Sequence, residues 1–128
     1  MSAMSDYLEN EILDHILSVG SFTMPANIYV GLSTGSFSDD NSGTELSGSG
    51  YTRKEITFAA ASSASSASNA TVTFPTATGS WGAVSHWGIF DASSSGNLLV
   101  HGAFASSKTI ASGDVLRINS GDLTVTAA

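Results

Sequence analysis

Apolar residues change their spacing once along this chain, and the change divides it into two unequal parts. Leu8, Ile12, Leu13, Ile16 and Leu17 recur every three or four residues, the period of a helix that lays one stripe on a surface, with Glu9, Asn10 and Asp14 facing away. Ser5 stands where an N-cap belongs, Asp6 and Glu9 suit the positive end of a helix dipole, and Gly20 offers a left-handed stop. The spacing therefore predicts an amphipathic helix over 5–20, about four turns long. Its stripe is expected either to cap the core of its own domain or to pack on a neighbouring subunit. From Ala26 onward the period falls to two: Ile28, Val30 and Leu32 alternate with Tyr29 and Gly31, as in a half-buried strand. Further strands are predicted over 55–60, 70–74, 84–90, 97–104, 108–111, 115–118 and 123–126, separated by clusters of Gly, Ser, Asn and Asp that supply hairpin turns. A parallel sheet would need helical crossovers, and only one helix is visible. The predicted fold is mainly β: an antiparallel β-sandwich or jelly-roll-like domain of about eight short strands over 26–126, preceded by the helix. At 128 residues the chain suits one domain, 1–128.

Two stretches interrupt the alternation. Residues 35–50 form a long polar loop rich in Ser, Gly and acids, and 59–70 a low-complexity loop of Ala and Ser, for which continued strand or short helix is an equal alternative. Neither is expected to anchor a core, and either suits contact with another subunit. Phe58, Phe74, Trp81, Trp87, Phe90 and Phe104 sit on or beside strands and are assigned to the core. Phe37, Tyr51 and Trp81 are the positions from which an aromatic ring would meet a sugar.

Composition narrows the function. Hydrophobic residues make up 41% of the chain and charged residues only 12%, so the surface is rich in small neutral side chains that lose little on being covered by another subunit. The formal charge is −7, and seven acids precede the first cation, Arg53; nucleic acid and anionic membranes are poor partners for such a chain. There is no cysteine, hence no disulfide or thiolate metal site, and no secretory n-region or membrane span is recognised.

The candidate chemistry is incomplete at each place. Gly31, Leu32, Ser33, Thr34 and Gly35 spell G-x-S-x-G, but the residues after Ser33 are poor helix formers, so the strand-to-helix elbow a nucleophilic serine requires is not expected. His86 and His101 fall in adjacent predicted strands without a carboxylate pair to complete a site, and His15 lies in the helix. Asp39, Asp40, Asn41 and Glu45 offer oxygen ligands for calcium at spacings foreign to an EF-hand loop. No catalytic residue, metal ligand or cofactor is assigned. Leu8, Ile12, Ile16, Asp39, Asp40, Tyr51 and Trp81 are the candidate interface residues.

Residues 6–17 (DYLENEILDHIL), 25–32 (PANIYVGL), 43–51 (GTELSGSGY), 72–75 (VTFP), 81–91 (WGAVSHWGIFD), 96–103 (GNLLVHGA) and 108–125 resemble, in order, a family of small phage and prophage proteins commonly labelled phage tail fibre protein. The resemblance implies a non-enzymatic structural protein of a tailed-phage virion, made in the bacterial cytoplasm. Internal repeats and a long heptad pattern are both missing, so an elongated shaft is not expected. From surface composition the leading expectation is a capsid decoration or cement protein, with a tail fibre, tail-tip or glycan-binding module as the alternative. The expected partners are other copies of the chain, as a symmetric oligomer with a trimer as the expected state, and the major capsid or tail proteins.

Overall fold

The computed structural model describes residues 2–127. Within them the chain runs β1 (Ser2–Met4), α1 (Asp6–Ile16), β2 (Ile28–Ser33), β3 (Lys54–Ile56), β4 (Ser65–Ala67), β5 (Val72–Thr73), β6 (Gly82–Phe90), β7 (Leu98–Ile110), β8 (Arg117–Ile118) and β9 (Thr124–Thr126). A five-stranded antiparallel sheet, in the order β1-β7-β6-β2-β3, is faced by two ribbons, β4-β9 and β5-β8. The fold is mainly β with antiparallel sheets and one N-terminal helix, as the periodicity predicts.

Alternation along the strands decides what lies between the layers. Val30 and Leu32 of β2 sit opposite Ile89 and Trp87 of β6, and Ile89 sits opposite Val100 of β7. These side chains share one face and meet Val72, Phe74, Ile118 and Leu123 from the ribbons and their flanks in one buried cluster. The longest strand, β7, joins two predicted strands, because Ala105, Ser106 and Ser107 between them include no Gly, Pro, Asn or Asp and the chain stays extended. Bulges between Val84 and His86 and between Ile89 and Phe90 absorb the register shifts.

The Ala and Ser run resolves as a hairpin. Phe58 bridges Ser68, Ser62 bridges Ser65, and Ser63 and Ala64 both take positive φ, 53° and 60°. Two left-handed residues between paired strands make the type I′ geometry that twists with a β-ribbon, here without the Asn-Gly pair that usually announces it. The first strand, Ser2–Met4, also has no sequence signature: its backbone pairs with β7 while only Met4 reaches the core.

The helix starts as predicted and ends sooner. Ser5 adopts extended backbone as N-cap, and its side chain accepts from the Leu8 amide at 3.2 Å while its hydroxyl donates to the Leu98 carbonyl. At 11 residues the helix has three turns, and the left-handed residue just beyond it is Ser18, φ 63°, in place of Gly20.

Candidate docking surface

Two regions gather the residues singled out from the sequence: the outer face of the sheet, beneath the 34–53 loop, and the distal half of α1.

On the outer face β2 and β6 place Gly31 opposite Gly88. A Cβ at Gly31 would lie 2.7 Å from Glu45 Oε2 and one at Gly88 2.9 Å from Leu98 Cδ1, so the paired glycines form a floor on which the loop lies directly. Phe37 plugs into this floor, 3% exposed, meeting Phe90 edge-on at 5.7 Å with Leu98 beside them. Contrary to expectation, then, the 35–50 loop does anchor a core, a small second one, because Phe37 interrupts its polar run. Glu45 holds Arg53 through two hydrogen bonds, Oε1 to Nη2 at 2.7 Å and Oε2 to Nε at 2.9 Å. The Arg53 guanidinium stacks 3.6 Å from the Phe90 ring centroid and donates from Nη1 to the Ala92 and Ser95 carbonyls. Tyr51 donates to Glu45 and accepts the Leu32 amide at 2.9 Å, where β2 has run past the end of β3. Burial first, then its hydrogen bond and the charge of Glu45, push the Tyr51 phenol well above the usual phenol range.

This arrangement commits most of the predicted site residues to the fold. Trp81 is 5% exposed, donates from Nε1 to the Ser49 carbonyl, and meets the Tyr51 ring edge-on, which corrects its assignment to a surface; Tyr51 is half-buried between Trp81 and Phe74. Asp39 is exposed but pairs with His101 Nε2 at 2.6 Å, tying the loop to β7. The carboxylate of Asp40 accepts from the Ser42 amide at 3.0 Å, and its hydrogen bonds to Ser42 hold it below the usual carboxylate range. Asp39, Asp40 and Glu45 thus turn to three different partners instead of converging on a cation. Ser33 is buried, donates to the Thr44 carbonyl at 2.6 Å and accepts the Gly35 amide; beyond it the chain continues as loop, in keeping with its poor helix formers. His86 faces Ser33 across the strands but contacts Ser85 Oγ at 2.7 Å.

The helix is different. Leu8 packs against the core and Ile12 is half-buried, but Leu13 is 55% exposed, Ile16 67% and Leu17 66%, and Val19 and Met24 continue the same trend at 75% and 82%. Of the seven exposed large hydrophobic residues among those described, five lie between residues 13 and 24. The five apolar positions read from the sequence as one stripe divide into two. Leu8 and Ile12 turn inward, while Leu13 lies on the outward flank beside the exposed Glu9 and Ile16 and Leu17 stand exposed at the distal end. The helix meets the body at its N-terminal end, where the Ser5 amide bonds the Leu99 carbonyl and the Asp6 amide the Asp39 carbonyl. Its stripe only partly caps the domain's own core.

Residues 3–126 match the protein family described as "Podophage GP4 fiber I protein gp80". No curated protein matches the chain.

Proposed function

Since this chain belongs to the podophage fibre I family, a family of phage fibre structural proteins, we propose that it is a compact, non-catalytic module of the tail fibre apparatus, joined to its neighbours through the distal half of α1. The observation that carries this reading is the run of Leu13, Ile16, Leu17, Val19 and Met24, each more than half exposed among the described residues. Apolar side chains so concentrated on a small protein signal a surface that is covered in use. The neutral remainder of the surface is easily desolvated, and the engagement of Ser33, His86 and His101 in hydrogen bonds within the fold supports a non-catalytic reading. The family description names a fibre, which favours the tail over the capsid decoration expected from composition. A closed homo-oligomer, with a trimer as the expected state, suits the part.

The test is a phage carrying Leu13→Ser, Ile16→Ser and Leu17→Ser together. The purified variant is expected to melt like wild type, since these side chains are already exposed, while particles assembled with it lack the protein. Tagged wild-type chain should be imaged in a few copies at the tail. Normal incorporation of the triple variant, or hundreds of copies spread over the head, overturns the proposal.

A further inference from the structure

The chain also carries a cleft suited to receive that helix. Between β7 and β8 lies a concavity of about 350 Å³, walled by the half-buried Phe104 and the exposed Ala105, with the core residues Val84, Leu116 and Ile118 closing it beneath. Lys108 and Arg117 stand at its rim with one acid, Asp122. The placement of these cations is unusual in this protein. The chain has four Lys and Arg residues against eleven acids; Arg53 is committed to Glu45, and two of the remaining three line this one cleft. Among the described residues neither Lys108 nor Arg117 has a salt bridge. An apolar floor with unpaired cations above it is the complement of a helix end that presents apolar side chains beyond acids, which is what α1 presents in Leu13, Ile16 and Leu17 beyond Asp6 and Glu9.

Knob and cleft lie at opposite ends of one strand. The helix is tied to β7 at Leu98 and Leu99, and the cleft opens at 104–108 of the same strand. From Leu99 to Ser106 an extended strand covers roughly 23 Å, and no residue of α1 lines the cleft of its own molecule. We infer that the occupant of the cleft is the distal half of α1 from a second copy of this chain, in a head-to-tail contact that buries Leu13, Ile16 and Leu17 against Phe104 and Ala105 and brings Glu9 toward Lys108 and Arg117. Such a contact uses two different patches, so it is heterologous: it closes into a ring if the rotation per subunit permits and otherwise grows into a filament. Either form suits a fibre component. The inference rests on the reading of α1 as the joining surface and adds what it joins to.

Two variants decide it, each folded by the same far-ultraviolet spectrum and melting temperature as wild type. One has Leu13→Ser, Ile16→Ser and Leu17→Ser, which spoils the knob; the other has Lys108→Glu and Arg117→Glu, which spoils the cleft. Sedimentation of wild type is expected to show an oligomer that weakens with added salt, and each variant alone should associate at least about tenfold more weakly. Mixed in equal amounts, the two variants retain one intact knob and one intact cleft between them. They should form a one-to-one pair and stop there. An isologous contact predicts no such rescue, so a mixture that stays monomeric overturns the inference, as does a cleft variant that assembles like wild type. If the knob variant is lost from virions but the cleft variant is not, the head-to-tail contact fails and α1 retains its joining role. If the knob variant is retained, both readings fail.

Discussion

The two faces of the five-stranded sheet are closed by different chemistry. On the inner face Val30, Leu32, Trp87, Ile89 and Val100 are covered by apolar residues of two ribbons, and the seal is area removed from water. On the outer face Gly31 and Gly88 leave a shallow floor, and a polar loop is fastened to it by a bidentate ion pair, a guanidinium on Phe90 and a phenol bonded at both of its hydrogen-bonding positions. The first seal is non-directional and tolerates shape-preserving exchange. The second depends on each partner being present, because a polar group buried without its mate loses more than the pair contributes. It is also the seal that fixes the position of the loop beside the base of α1, through Asp39, whose carbonyl accepts the Asp6 amide.

The largest effect should come from the inner face. Trp87→Ala, at a site 4% exposed, is expected to remove about 3–5 kcal/mol in chemical denaturation. A loss under about 1 kcal/mol would mean that the ribbons are not the closing layer. Next comes Arg53→Met, which keeps the stem over Phe90 but strands Glu45. With side-chain exposures of 7% and 23% the pair is shielded enough that breaking it should cost about 3 kcal/mol, whereas adding Glu45→Gln should recover most of the loss. If the single change costs less than about 0.5 kcal/mol, the pair behaves as a solvated surface bridge and the contrast between the faces disappears.

That contrast was only half legible in the sequence. The inner face announces itself, since Ile28, Val30 and Leu32, and Val84 to Phe90, alternate or run apolar as strands must, and the helix start at Ser5 obeys local capping chemistry. The outer face did not. Its anchors, Phe37, Glu45, Tyr51 and Arg53, are scattered through a segment with no period, and their meeting depends on Gly31 and Gly88 being opposite each other, a matter of strand register that one sequence does not display. The helix misled in another way. Three- and four-residue spacing places Leu8, Ile12, Leu13, Ile16 and Leu17 within one broad arc, but whether an arc meets one surface or two depends on what packs there, and only Leu8 and Ile12 are met by the body. The exposed remainder was recoverable in principle, as the excess of apolar positions over what a helix of three turns lays on one layer.

Glycine exchange tests the floor itself. Gly88→Ala would set a methyl 2.9 Å from Leu98 Cδ1 and 3.2 Å from Phe37 Cε2, and should cost about 2 kcal/mol. Gly35→Ala, with nothing within 4 Å, should stay within about 0.5 kcal/mol of wild type. Equal costs at the two positions would mean that the loop rides above the sheet without touching it.

The finest test separates the faces by pH. The Tyr51 phenol is held neutral by burial and by the adjacent Glu45 carboxylate, so its folded pKa lies above that of the unfolded chain, about 10. A group with a raised folded pKa contributes its full stabilisation below the unfolded value. As pH rises past that value the unfolded chain releases the proton and the folded one does not, and stability falls by about 1.4 kcal/mol per pH unit until the folded pKa is reached. Tyr7, raised by burial and by Glu11 and Asp91, adds in the same direction and is common to both proteins compared. Tyr51→Phe should cost about 1 kcal/mol at pH 7, where it leaves the Leu32 amide without its acceptor, and should remove the Tyr51 share of the alkaline decline. The two stability curves should therefore converge above pH 10 and cross near pH 11, with the variant then the more stable. Parallel curves from pH 7 to pH 11 would place the phenol in water, and with it the outer face would lose the directional bond at its edge.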